Sequence, residues 1–140
     1  MRIGLALSDL QALIASPHGA LDVRADGSHL DRIADLVRDF EVICVVVGLP
    51  LRLDGGEGEE ASQARQLALA IGERAGVEVC LYDERMTSKM AERALLEAGS
   101  KRHQRRRQAH GVAAALILQA YLQRRALQAR QAPPEGQRRL

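Results

Sequence analysis

Apolar positions recur along this chain with two alternating periods. Residues 2–8 place Ile3, Leu5 and Leu7 on one face in a period of two, and Ser8-Asp9 supplies a turn, so a strand is predicted there. A second short apolar run, near 12–16, is predicted to return as a hairpin. After the turn-rich connector 22–27, "SHLDRIADLVRDF" switches to a helical period, with Leu30, Ile33, Ala34 and Val37 on one stripe. Ser28 is the expected N-cap, with Asp31 at the third position of a capping box. "VICVVVGLP" (42–50) is β-branched and nearly continuous, as in a parallel strand buried on both faces. A glycine- and acid-rich loop, a helix near 61–74, a strand at 77–82 and a helix from Thr87 or Ser88 to Ala98 follow. A last helix is expected over 109–127, its stripe formed by Val112, Ala113, Leu116, Ile117, Ala120 and Tyr121.

This order predicts an α/β fold with a largely parallel sheet, where chemistry gathers at the carboxyl ends of strands. Two stretches qualify: "GLPLRLDG" after the first buried strand and "DERMTS" after the second.

Composition narrows the picture. With 140 residues the chain is long enough for one core, and with aromatics at 2% and no Trp that core must be aliphatic. No apolar run is long enough to span a bilayer and no signal segment opens the chain, so a cytoplasmic protein without a membrane partner is expected. Cys44 and Cys80 lack a C-x-x-C spacing and are expected as buried free thiols. The net charge of +2 is unevenly spread, because ten of the twenty basic residues but only one of the eighteen acids lie between Lys101 and Leu140. An acidic body with a basic end suits either a polyanion-binding protein whose carboxylates do the chemistry, or a solvated helix face with a charged tail.

Candidate chemistry is concentrated at "DER". Only one of Asp83 and Glu84 can point into a given cleft, and a carboxylate there can hold a hard cation such as Mg²⁺. The alternative is an acidic turn whose carboxylate pairs with Arg85. His110 opens the final helix, where imidazole can ligate a metal, move a proton or sit at the surface. His18, His29 and His103 are expected in turns or polar loops. The glycine-rich loop fits neither a P-loop nor a dinucleotide fingerprint, and no nucleophile elbow occurs.

Five blocks in order, "RIGLALSD" (2–9), "IASPHGAL" (14–21), "VVVGLPLRLDGGEG" (45–58), "YDERMTS" (82–88) and "AAALILQAYL" (113–122), resemble the YqgF/RuvX family, linked to pre-16S rRNA processing and also described as Holliday-junction-resolvase-like. The resemblance implies an RNase H-like fold: a mixed sheet with helices on both faces, here a single domain over 1–128 followed by a basic disordered tail over 129–140. It also implies a hydrolase that cleaves phosphodiester bonds with Mg²⁺ or Mn²⁺. Glu84 matches the family's metal-binding glutamate, His110 stands where the family has an acidic residue, and Asp83 is an outer helper. Arg85, Lys101, Arg102, Arg105, Arg106 and Arg107 are the expected nucleic-acid contacts. Structured RNA is the favoured partner, branched DNA the alternative, and a homodimer is open. The family carries a further strand with an essential Asp before the stretch matched by 2–9, so the resemblance implies that this strand is missing here. Asp9 is no replacement for that Asp. A catalytically silent nucleic-acid-binding protein on the same fold is the competing expectation.

Overall fold

The computed structural model describes residues 2–86 and 109–131. Strand β1 (Arg2–Ser8) turns back into β2 (Ala15–Asp22), and the two pair antiparallel from Arg2↔Asp22 to Ser8↔Ala15, with an irregularity in register between Gly4 and Ala6. Helix α1 (Ser28–Asp39) leads to β3 (Cys44–Leu49), α2 (Glu59–Ala75) and β4 (Glu78–Asp83). β3 and β4 run parallel in register from Cys44↔Glu78 to Leu49↔Asp83. A single 3-10 turn, Glu84–Met86, ends this part, and α3 (Ala109–Gln131) completes the described fold.

The α/β class and the helices on both faces are as expected. α3 packs across β1 and β2 and reaches β3, whereas α2 packs on β3 and β4 and also against α1. The two faces of the parallel pair are therefore distinct. Tyr82 meets Tyr121 of α3 edge to face, with centroids 5.8 Å apart, while Val79 lies under Gly72 of α2. Among the described residues no ladder joins β1 to β3, so the mixed sheet is present as one antiparallel and one parallel pair.

Several local expectations are corrected. β2 starts at Ala15, later than the second apolar run, because Asp9 organises the intervening turn. Its Oδ1 accepts the backbone N–H groups of Leu13 (2.7 Å) and Ile14 (3.1 Å), which also lowers the pKa of its carboxyl. At α1 the N-cap is Gly27, in the left-handed region at φ 77°, and Ser28 is already helical. Asp26 takes the Ser28 N–H at 2.9 Å, which removes the need for a hydroxyl cap, and Asp31 instead pairs with Arg74 of α2. His29, expected in a polar segment, is buried, and its Nδ1 accepts the Arg24 N–H at 3.2 Å.

The stripe on α3 is rotated from the predicted one. Gly111, Ala115, Gln119, Ala120 and Leu122 are buried, while Ala113 is exposed. Closeness selects small residues here. A Cβ on Gly111 would stand 3.1 Å from Pro17 Cβ and 3.3 Å from the Gly19 carbonyl oxygen, so the helix rests almost on the backbone of β2. Ala15, Ala115 and Leu122 form the core of this contact, flanked by Ala6, Leu116, Leu118 and Tyr121. Buried Gln119 accepts the Ala15 N–H at 2.9 Å and donates to the Leu13 carbonyl at 3.0 Å, satisfying two backbone groups at the start of β2. α3 also runs on to Gln131, past the end near 127 expected for the last helix. The helix predicted over 87–98 and residues 132–140 lie outside the described residues.

Candidate active site at the end of the parallel strands

Both predicted stretches meet at the carboxyl ends of β3 and β4. Leu49 pairs with Asp83 at the last position of the ladder, so the loop leaving β3 and the turn leaving β4 start side by side. Glu84 is the first residue of that turn and is half-buried. Gly48 provides the space for it. A Cβ at Gly48 would lie 2.7 Å from Glu84 Oε1, 3.1 Å from Glu84 Cγ and 2.8 Å from Ile117 Cδ1, so Glu84 and α3 both occupy the volume a side chain would fill. A lone glycine within a β-branched strand is the sequence signal for such a close approach.

The electrostatics at Glu84 follow from that position. Burial first, then the negative charges of Glu60 and Asp83, raise its carboxyl above its ordinary value. Glu60 sits in the first turn of α2, where acids complement the helix dipole. Its contribution to this site was not evident from the sequence, because 24 positions separate it from Glu84.

Asp83 and Arg85 do a different job. Arg85 Nε lies 3.1 Å from both carboxylate oxygens of Asp83 and Nη2 lies 2.8 Å from Oδ2, while the Arg85 backbone N–H donates to Oδ1 at 2.9 Å. These bonds hold the Asp83 carboxyl below its ordinary value, the side-chain bonds contributing most. Arg85 Nη1 also donates to the carbonyls of Arg52 (3.3 Å) and Leu53 (3.4 Å). One guanidinium thus clips the loop after β3 onto the turn after β4. The two readings of "DER" are therefore divided between its acids: Asp83 makes the arginine-paired turn, and Glu84 faces the space between strand and helix.

The clipped loop has its own internal order. Arg52 N–H bonds the Gly56 carbonyl, Gly55 N–H bonds the Arg52 carbonyl at 2.8 Å, and Asp54 Oδ1 accepts the Gly56 N–H at 2.7 Å. Gly55, at φ 87°, allows the reversal, and Glu57 pairs with Arg65 of α2. Leu53 stands at its tip, 98% exposed.

The resemblance implies a divalent metal. A half-buried carboxylate with two further acids nearby is chemically suited to one hard cation, which commonly takes one or two protein carboxylates together with water and substrate phosphate oxygens. Among the described residues no group of three or more His, Cys, Asp or Glu could hold a metal, so they do not supply a complete two-metal clamp. The backbone of His110 lies in the first turn of α3, but its side chain lies outside the described part of the structure, as do Lys101, Arg102, Arg105, Arg106 and Arg107.

Comparison with known proteins finds relatives of this chain. The family described as "RuvX: Holliday junction resolvase" matches residues 1–124. A protein of Anaeromyxobacter sp. (strain K) is 42% identical over 126 residues, covering 90% of this chain and 92% of its own. One of Lactococcus lactis subsp. cremoris (strain MG1363) is 35% identical over 127 residues, covering 89% of each. Both carry the name "Putative pre-16S rRNA nuclease". Among solved structures, T. thermophilus RuvC in complex with Holliday junction substrate superposes with a TM-score of 0.54 at 17% identity, covering 90% of this chain and 89% of that one. That likeness establishes the RNase H-like fold of RuvC for this chain.

Proposed function

Since the chain belongs to the RuvX family, a family of nucleases, we propose that it is a cytoplasmic, metal-dependent endonuclease that trims the 5′ region of pre-16S rRNA during ribosome biogenesis. The observation that carries this reading is the Glu84 carboxylate, set into the space above Gly48 with Glu60 and Asp83 adding negative potential. Mg²⁺ or Mn²⁺, when bound, would supply an activated water and charge stabilisation at the scissile phosphate. Glu84 is the assigned ligand on this chain, and His110 takes the second position. Asp83 acts through Arg85, which fixes the loop over the site. Lys101, Arg102, Arg105, Arg106 and Arg107 are assigned to backbone phosphates, which makes binding strongly salt-dependent. With two Tyr and one Phe, base stacking has little part, so structured RNA is read by backbone and shape.

A titration of Mg²⁺ and Mn²⁺ against cleavage of structured RNA, with a four-way DNA junction in parallel, tests the proposal. Metal-dependent cleavage of RNA that disappears in Glu84→Gln is expected. Cleavage that survives excess EDTA, or ignores Glu84→Gln, would overturn it, and faster cutting of the junction would move the substrate to branched DNA. A second reading, a nucleic-acid-binding protein without cleavage, is favoured by the incomplete ligand set among the described residues. Salt-sensitive RNA binding with no metal-dependent cleavage would select it.

A further inference from the structure

The face of the parallel pair that carries Gly48 and Tyr82 also carries two sulfur atoms. Cys44 opens β3 opposite Glu78, and Cys80 lies opposite Val46. The two cysteines are therefore diagonal neighbours on adjacent strands and, by the period of two, share the face under α3. Their Sγ atoms are 3.5 Å apart. Both thiols are free and half-buried, not the fully buried pair expected from the apolar sequence around them.

We propose that Cys44 and Cys80 form a reversible redox site, closing to an intramolecular disulfide by exchange with a low-molecular-weight disulfide such as oxidised glutathione. The sulfurs already touch, and closure requires about 1.5 Å of further approach to reach a bond of roughly 2.05 Å. A metal is a poorer occupant. Structural zinc takes four ligands, whereas no group of three metal-binding side chains occurs among the described residues. Cys44 and Cys80 stand two residues out of register across the parallel ladder, a longer span than that between directly paired residues, so closure must pull the strands together. Closure would therefore strain the strand pair, which makes this bond a labile one and not a permanent staple.

The exchange balances in two steps. One protein thiolate attacks a sulfur of the oxidised glutathione, forming a mixed disulfide and expelling one glutathione thiolate. The second protein sulfur, losing its proton to solvent, attacks the protein sulfur of the mixed disulfide and expels the other glutathione. The protein loses two electrons and two protons, and glutathione disulfide gains them. Burial, then the hydrogen bond with Cys80, push the Cys44 thiol up to about 11, so Cys44 keeps its proton at neutral pH.

Equilibrating the folded full-length chain in glutathione buffers of graded ratio, then alkylating and weighing it, tests the site. The expected result is loss of two hydrogens' mass together with both alkylatable thiols, in a monomer that dithiothreitol restores. Under the same buffers neither Cys44→Ser nor Cys80→Ser is expected to lose two hydrogens' mass, since each keeps a single thiol. Two alkylatable thiols persisting at the most oxidising ratio, or a product consisting of glutathione adducts or disulfide-linked dimers, would overturn the redox site.

Discussion

The antiparallel and parallel halves of this molecule use polar groups in opposite ways. In the hairpin half, polar atoms close the structure: Asp9 ties the turn, and Gln119 is only 2% exposed yet has backbone partners for both ends of its amide. In the parallel half the polar groups gather at the strand ends and under α3. Glu84 sits in a half-buried space that raises its pKa, and two free thiols face each other 3.5 Å apart. The contrast separates a region whose hydrogen bonds secure the turn and the helix contact from one where burial and neighbouring acids raise the pKa of a carboxyl at the strand ends.

Substitutions can break that contrast, and the largest effect is expected at Glu84. Glu84→Gln should lower metal-dependent cleavage by at least about 100-fold, because even partners one step removed from a metal ligand are worth about 10–100-fold. Its stability should move the other way. The raised pKa means that folding favours the protonated acid, so this group's stabilising contribution is complete below its unfolded value and is lost as pH rises through the folded one. Thermal melts should therefore show Glu84→Gln gaining on the native chain as pH increases from acid to neutral. A variant equally inactive but less stable at neutral pH would show that Glu84 is structural.

Gly48→Ala tests the same space from the strand side. With Glu84 Oε1 and Ile117 Cδ1 both inside 3 Å of the new methyl group, the variant should lose about 1–3 kcal/mol in denaturant titrations and lose cleavage through displacement of Glu84. In the hairpin half, Gln119→Leu should cost about 1–3 kcal/mol for each backbone group left unpaired, while metal affinity stays unchanged. If Gln119→Leu disturbed metal binding as much as Gly48→Ala, the two halves would not be functionally separate.

Arg85→Lys should have a subtler result. A single ammonium cannot reproduce the paired contact to Asp83 and also reach the Arg52 and Leu53 carbonyls. Amide hydrogen exchange should accelerate across residues 52–57, with cleavage reduced about 10-fold. The smallest effect is expected at the exposed pair between Arg74 and Asp31, where Arg74→Ala should change stability by no more than about 1 kcal/mol.

Much of the fold was legible because it rests on local periodicity. The β-branched run at 42–50 and the apolar strand at 77–82 announced β3 and β4 within a few residues, and Glu84 stood out because it follows a strand end. Partner choice was less legible. Asp83 and Glu84 are adjacent and chemically alike, and only the positions of Arg85, Gly48 and Glu60 around them put one in a clip and the other in the space over Gly48.

The sequence by itself determined the period of each described element, the aliphatic character of the core and the family blocks, since these depend on neighbouring residues and composition. Tertiary structure decided which side of α3 is buried, because the approach of the helix to Pro17 and Gly19 admits Gly111 and Ala115 where longer side chains would collide. It also decided that Cys44 and Cys80 touch. Strand register brings together residues 36 positions apart, and moving one strand by a single residue would turn its cysteine to the opposite face.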